Sequence, residues 1–247
     1  MFLDAHCHLE SGKKHPLYPD LDAVVERMRC ARVKAVNTGH NIEANHRVLE
    51  ACADYQNDFF AAIGTSPHDA GSCKLDDELA YVRRNARRII AIGEIGLDYH
   101  YFKKDAEHKR QQAVFEAMLA LAEELGKPVV VHSREAEREV AETLKSFKVK
   151  VLLHCLQKPE AAKWMPEGCW FSLPTLKNDC RVKLIETVPF ERLLAETDSP
   201  FLWRGGRNEP ANVAEVYETV AQAKGLGVGE VEGAFWRNAG ELFSWRA

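Results

Sequence analysis

The sequence predicts an α/β protein, a single (β/α)8 TIM barrel over residues 1–247 with a metal site at the C-terminal rim of its strands. Size is the first observation behind this: 247 residues is close to the roughly 250 typical of such a barrel. The second is an unbroken alternation of short apolar, β-branched runs with longer amphipathic stretches, which favours one closed parallel sheet over two domains. The third is the recurrence of histidines and carboxylates where those runs end.

The first run, Phe2–His6, leads into Asp4-Ala5-His6-Cys7-His8. Side chains alternate along a strand, so His6 and His8 point the same way. Further strands are expected at Val33–Asn37, Phe59–Gly64, Ile89–Glu94, Pro128–His132, Val151–His154, Trp170–Ser172 and Leu193–Glu196. Helical spacing is clearest over 107–125, where Val114, Ala117, Met118, Leu121 and Leu125 repeat at i, i+3/i+4 and i+7. Asp105 is the expected N-cap of that helix, and Gly126 with Pro128 its stop. The competing fold, an open doubly wound sheet, often carries a glycine-rich phosphate turn after its first strand. Here that stretch reads His8-Leu9-Glu10-Ser11-Gly12 and cradles no phosphate. The one linker-like stretch, Arg204-Gly205-Gly206-Arg207-Asn208-Glu209-Pro210, follows the last strand and reads as an active-site loop. The long loop 9–20 is expected to shape the barrel mouth.

Composition is that of an ordinary globular chain, 46% hydrophobic and 28% charged. With 33 Lys+Arg against 37 Asp+Glu the net charge is −4, so no global basic field coats nucleic acid; local grip on phosphates stays open. The seven cysteines form no C-x-x-C pair and read as reduced thiols, Cys7 and Cys155 included. Acidic and imidazole residues from position 4 argue against a secretory signal. No run approaches the ~18 apolar residues of a membrane span. A cytoplasmic location with no membrane partner is therefore expected, with a monomer favoured.

Strand 1 ends in His6 and His8, strand 4 in Glu94, strand 5 in His132 and strand 6 in His154, while Asp198 follows strand 8. In a barrel these ends converge on one rim. Four imidazoles and two carboxylates exceed the three protein ligands usual for one catalytic zinc and suit two divalent ions, with Glu94 bridging through its two oxygens. Asp198, in Glu196-Thr197-Asp198-Ser199-Pro200, either caps a turn or orients a water at the metals and accepts its proton. The four histidines suit zinc, manganese or iron better than magnesium.

The chain resembles the TatD-family metal-dependent deoxyribonucleases, a branch of the amidohydrolase-like barrels. The matching segments are Asp4-Ala5-His6-Cys7-His8-Leu9, Ala91-Ile92-Gly93-Glu94-Ile95-Gly96-Leu97-Asp98-Tyr99, Pro128 to Ala136, His154-Cys155, Glu196-Thr197-Asp198-Ser199-Pro200 and Arg207-Asn208-Glu209-Pro210. The resemblance implies metal and catalytic roles for His6, His8, Glu94, His132, His154 and Asp198. It also implies hydrolysis of DNA phosphodiesters, with several members of the family acting as 3′→5′ exonucleases and commonly with magnesium. Two segments depart from the family pattern. Gly64-Thr65-Ser66-Pro67-His68 has Ser66 where Gly-x-His-Pro-His would place an imidazole, and a hydroxyl can donate a hydrogen bond but carries no charge. His154-Cys155-Leu156-Gln157-Lys158 replaces His-Cys-Phe-Ser-Gly, losing a glycine and adding a cation near the rim.

Substrate contacts are sought at Arg134, His68, Ser66 and Arg207. Arg134 follows His132 by two residues and either grips a phosphate bidentately or pairs with Glu135 or Glu137 at a helix start. Asp98 either orients a ligand histidine or caps the turn at Gly96. Tyr99, Tyr101 and Phe102 form a stacking ledge for bases or simply pack, and Lys103 and Lys104 are solvated or touch backbone phosphates. Arg204 and Arg207 flank two glycines in a segment able to close over an anion. The reading is a metal-dependent hydrolase with two divalent ions (Mg, Mn or Zn) that trims DNA, its single-stranded ends in particular. The alternatives are hydrolysis of a small amide, lactone or ester by the same metals, and a catalytically silent barrel retained as a binding module.

Overall fold

The computed structural model describes residues 1–9, 20–203 and 206–245. Eight parallel strands form one sheet in sequence order: β1 (Phe2–Cys7), β2 (Val33–Thr38), β3 (Phe59–Ile63), β4 (Ala91–Asp98), β5 (Val129–Arg134), β6 (Val151–Leu153), β7 (Trp170–Leu173) and β8 (Leu193–Ala195). Around them run α1 (Leu21–Cys30), α2 (Ile42–Asp54), α3 (Leu75–Asn85), α4 (Asp105–Leu125), α5 (Glu137–Leu144), α6 (Asp179–Thr187), α7 (Ala214–Lys224) and α8 (Val228–Phe243). This is the predicted barrel, with one exception to its alternation. The connection from β6 to β7 is a 3-10 segment, Pro159–Trp164. Pro159 opens it, and Pro166 and Gly168 follow, leaving too few residues to nucleate an α-helix.

Helix α4 buries Val114, Phe115, Met118, Leu119, Leu121 and Ala122 on one stripe, while Ala117 and Leu125 are half-buried. Asp105 is its first helical residue and not its N-cap, which is Lys104. The Lys104 backbone N–H donates to Glu107 Oε2 at 3.0 Å, so a carboxylate one turn in does the capping. Gly126 ends the helix in the left-handed region, as its lack of a Cβ permits.

Strand β4 is longer than its sequence suggests, running past Glu94 to Asp98 with every residue buried. Its register against β5 shifts between Ile92 and Ile95. A Cβ at Gly93 would sit 2.7 Å from Val130 Cβ, and one at Gly96, where φ is 138°, would sit 2.0 Å from the His132 carbonyl. The two glycines let β4 press against β5, which brings Glu94 beside His132.

Between β8 and β1 no ladder is formed among the described residues, and the seam closes by other means. Past the end of β8, Asp198 N–H donates to the His6 carbonyl (3.0 Å) and His8 N–H to the Ser199 carbonyl (2.7 Å). Lower down, the fully buried Tyr217 hydroxyl of α7 donates to the Leu3 carbonyl (2.9 Å) and accepts from Leu3 N–H (3.0 Å). No helix among the described residues is long and apolar enough to cross a membrane.

Candidate metal centre

His6 lies in β1 and His8 one residue beyond it, and the kinship of direction expected from alternation holds: their Nε2 atoms are 3.0 Å apart. His8 Nδ1 donates to the Thr38 carbonyl at 2.9 Å, which fixes the tautomer and leaves the Nε2 lone pair facing His6. Glu94, from the middle of β4, divides its carboxylate. Oε1 lies 2.9 Å from His132 Nδ1 and 3.1 Å from His154 Nε2, while Oε2 lies 3.6 Å from His8 Nε2. Asp198 Oδ1 stands 3.5 Å from both His6 Nε2 and His8 Nε2. The six residues expected to form one site are therefore together, drawn from β1, β4, β5 and the segments after β6 and β8.

The donor set and its spacing fit divalent cations. Two ligand atoms bound about 2.1 Å from one ion sit roughly 3.0 Å apart at a right angle and roughly 3.4 Å apart in a tetrahedron. The nitrogen–nitrogen and nitrogen–oxygen separations here, 2.9 to 3.6 Å, are close to edges of that kind. Where these donors are unprotonated, lone pairs face one another across the edges, an arrangement that a cation relieves. Three donors within mutual reach occur as His6, Glu94 and His154, and again as His6, His8 and Asp198.

Protonation follows from burial and neighbours. Burial and the nearby His154 and His8 lower His6 to about 3, so it is a neutral donor at working pH. Burial works against ionised Glu94, yet the imidazoles of His154 and His132 outweigh it and hold the carboxyl well below its usual range. Asp198 is likewise held low against its burial, by His6 and His8. His132 is raised to about 9: burial opposes the charge, but Asp98 and Glu94 flank the ring and prevail. Without a cation a proton there offsets the two carboxylates, and cation binding must release it.

Of the two tasks its sequence position suggested, Asp98 performs the first, orienting a ligand histidine; the turn it caps is the one after β4 and not one at Gly96, which lies within the strand. Its Oδ1 accepts from the backbone N–H groups of His100 and Tyr101, each at 2.9 Å, capping the turn after β4. Its Oδ2 accepts from His132 Nε2 at 3.0 Å and His68 Nε2 at 3.2 Å, so His132 offers Nδ1 to the centre.

A cavity of about 640 Å³ opens over these donors, lined also by His40, Ser66, His68, Asp69, Tyr101, Arg134 and Phe201. Arg134 pairs with neither Glu135 nor Glu137 among the described contacts; its guanidinium lies 4.8 Å over the Tyr101 ring and donates to the Tyr101 hydroxyl at 3.2 Å. Glu135 is taken by His100 and Lys103. Tyr101 is 61% exposed at the mouth, whereas Tyr99 stacks on His108 of α4 at 3.7 Å and Phe102 packs edge-on to His68. Of the three expected ledge aromatics, Tyr101 alone lines the cavity. Lys158 does not line the cavity; its ammonium donates to the buried Glu137 carboxylate at 3.0 Å. Arg207 lies 3.9 Å from Glu209 and outside the cavity lining. Arg204 and most of the loop 9–20 fall outside the described residues. A second cleft, about 800 Å³, runs between Pro159, Met165, Phe171, Lys183, Val188 and Arg192 and contains none of the donors.

Sequence reasoning missed four residues here: His40, Asp69, Glu196 and Asp4. His40, two residues past β2, lines the cavity with Nδ1 2.8 Å from Asp69 Oδ2. It stands at a strand end like the other imidazoles, and that was the available signal. Ser66 Oγ donates to the same oxygen at 3.0 Å. Glu196, fully buried, accepts from Ser172 Oγ at 2.7 Å and lies 3.8 Å from His154 Nδ1; burial and the neighbouring Asp198 push its carboxyl well above the usual range. Asp4, raised to about 7 chiefly by burial, receives Thr197 N–H (2.9 Å) and Thr197 Oγ1–H (2.5 Å) beneath the donors.

Comparison with known proteins points the same way. The family model described as TatD related DNase matches residues 3–244. The chain is 36% identical over 256 residues to an uncharacterized metal-dependent hydrolase, MJ1582, of Methanocaldococcus jannaschii, covering 99% of this chain and 98% of that one. It is 33% identical over 260 residues to the human deoxyribonuclease TATDN3, covering 98% and 94%. Among solved structures it is similar to YjjV, a TatD homologue of Escherichia coli K12, with a TM-score of 0.87 and 26% identity over 99% of this chain and 98% of that one.

Proposed function

The chain belongs to the TatD-related DNase family of metal-dependent hydrolases, and from that premise we propose that it hydrolyses DNA phosphodiesters at single-stranded ends, in the 3′→5′ direction, with two divalent cations. The observation that carries this is the pairing of the donor ring with a cationic, aromatic wall: Arg134 stacked on exposed Tyr101 beside His132. A site for a neutral amide or lactone has no use for a guanidinium there, whereas a phosphoryl oxygen and a nucleobase each find a partner. The cavity volume of about 640 Å³ lies in the range of small-ligand pockets and admits a strand end in preference to a duplex.

His6, His8, Asp198 and Glu94 would hold one divalent cation, and Glu94, His132 and His154 the other. Divalent cations at such positions supply water activation near neutral pH and Lewis acidity toward the phosphoryl oxygens. Asp198, ionised and facing the cavity, orients the attacking water and takes its proton on the carboxylate. Arg134 offsets charge on the phosphoryl oxygens, and Tyr101 stacks the terminal base. Ser66 and His68 border the same wall. Magnesium, manganese and zinc are each compatible with a mixed imidazole–carboxylate donor set.

The test is to strip the protein with chelator, restore magnesium, manganese or zinc singly, and present 3′- and 5′-labelled single-stranded DNA, with Asp198→Asn alongside. Stepwise, metal-dependent shortening from the 3′ end, absent in the variant, is expected. Intact DNA together with metal-dependent cleavage of a simple lactone or ester refutes the nuclease reading.

A further inference from the structure

We infer that His40, oriented by Asp69, is a further substrate-contacting residue that donates a hydrogen bond to the phosphoryl group bound over the metal centre. The residue enters from β2, the one neighbour of β1 that contributes none of the six metal donors. Its ring lines the cavity that opens over them, about a third of its side chain is exposed there (34%), and its centroid lies 6.3 Å from that of His8.

The orientation of this ring is built, not incidental. Asp69 Oδ2 accepts from His40 Nδ1 (2.8 Å) and from Ser66 Oγ (3.0 Å), and Asp69 Oδ1 accepts from Asn41 Nδ2 (2.9 Å). Asn41 is itself fixed as the N-cap of α2, its Oδ1 accepting from Ala44 N–H at 3.0 Å. Ser66 N–H donates to the His40 carbonyl at 2.8 Å, which ties the loop after β3 to the loop after β2. With Nδ1 bonded to a carboxylate the imidazole is a stronger donor toward an anion at its other edge, the same device by which carboxylates orient and polarise histidines elsewhere. Carboxylates and imidazoles dominate the floor of this cavity, so an anionic ligand needs donors on the walls. Arg134 supplies one from the β5 side and His40 another from the β2 side.

Ser66 offers a means of testing this by exchange. Its hydroxyl and the His40 ring share one oxygen of Asp69, so a histidine installed at 66 delivers an imidazole to the same corner. The inference rests on the phosphodiesterase reading only for the identity of the anion, and the experiment separates the two. Metal-reconstituted parent, His40→Ala, His40→Gln and the double variant His40→Ala/Ser66→His are compared for binding of inorganic phosphate by calorimetry and for hydrolysis of bis(p-nitrophenyl) phosphate. Metal content and Tm are recorded for each. Loss of a hydrogen bond to a charged group predicts phosphate affinity lower by about tenfold or more in both single variants at parental metal content. A rise in KM larger than any fall in kcat should accompany it, and the double variant should recover most of the loss. If both single variants bind phosphate like the parent, or the double variant is no better than His40→Ala, the inference is wrong. If the parent cleaves no phosphodiester while His40→Ala still loses phosphate affinity, the functional reading falls and this contact stands.

Discussion

Replacing Asp98 with Asn isolates how the centre orients its ligands. Asp98 Oδ1 holds two backbone N–H groups at 2.9 Å, and Oδ2 holds His132 Nε2 at 3.0 Å and His68 Nε2 at 3.2 Å. An Asn that keeps the two backbone bonds turns its NH2 toward His132, setting donor against donor. Relief requires the His132 proton to move from Nε2 to Nδ1, the nitrogen 2.9 Å from Glu94 Oε1. The lone pair offered to a cation is then lost. Removing an orienting carboxylate of this kind costs about 10–100-fold in metal affinity, or about 1.4–2.8 kcal/mol. The loss should fall on the position built by Glu94 Oε1, His132 and His154 and spare that of His6, His8 and Asp198. Calorimetric titration of manganese or zinc into chelator-stripped parent and variant reads this directly. A variant with the parental Tm that fills both positions with parental affinity refutes orientation through Asp98.

Three further outcomes are expected. Tyr217→Phe leaves the buried N–H and carbonyl of Leu3 without their partner; at ~1–3 kcal/mol for each orphaned group and ~2–4 °C per kcal/mol, Tm should fall by roughly 4–24 °C, and a fall under about 2 °C in a thermal melt removes Tyr217 as the seam's closure. Asp69 is held below the usual carboxylate range because His40, Asn41 and Ser66 outweigh its burial, so its stabilising contribution is present above the unfolded value near 3.9 and is lost as pH falls through the lower folded value. The stability gap between parent and Asp69→Asn in urea unfolding should therefore be constant at neutral pH and narrow below about pH 4; a gap that widens on acidification contradicts the sign. Saturation of the donor ring with manganese at about 100 times its Kd should add about 2.7 kcal/mol, raising Tm by roughly 5–10 °C over the chelated protein, and an unchanged Tm with magnesium, manganese and zinc alike rejects the ring as a cation site.

The barrel and its donor ring were legible because both rest on local pattern: strand periodicity, and histidines or carboxylates repeated at strand ends. What escaped the sequence rests on pairs far apart in it. Asp69 and His40 are 29 positions apart, and their bond depends on how the loops after β2 and β3 meet. Lys158 reads as a free cation until the fold sets it beside Glu137, 21 residues earlier. The end of β4 was misjudged because Gly-Glu-Ile-Gly-Leu-Asp interrupts the apolar run, whereas in space the glycines are what allow β4 to continue against β5. Ser66 reads as a lost imidazole, yet it shares its carboxylate with an imidazole from the loop after the preceding strand.

Closure of the barrel and assembly of the centre are one event in this chain. β8 is three residues long, so sealing passes to the segment after it, and the peptide groups that seal it belong to His6, His8, Asp198 and Ser199. Side chain and backbone are thereby separable at Asp198 and inseparable at Thr197. Asp198 has φ of 55°, a conformation that Asn adopts as readily as Asp, so Asp198→Asn keeps its seam bond to His6 and should lose cation affinity with little change in Tm. Thr197 instead donates through both N–H and Oγ1–H to the buried Asp4 carboxylate. Thr197→Val keeps the volume but removes the hydroxyl that serves Asp4 Oδ2, the Ser199 N–H and the Ser199 hydroxyl, all buried, at about 1–3 kcal/mol for each group left orphaned, directly under the His6–Asp198 junction. Cation affinity and Tm should fall together in that variant, and a Thr197→Val protein that loses stability yet binds manganese like the parent would show that the seam and the centre are independent after all.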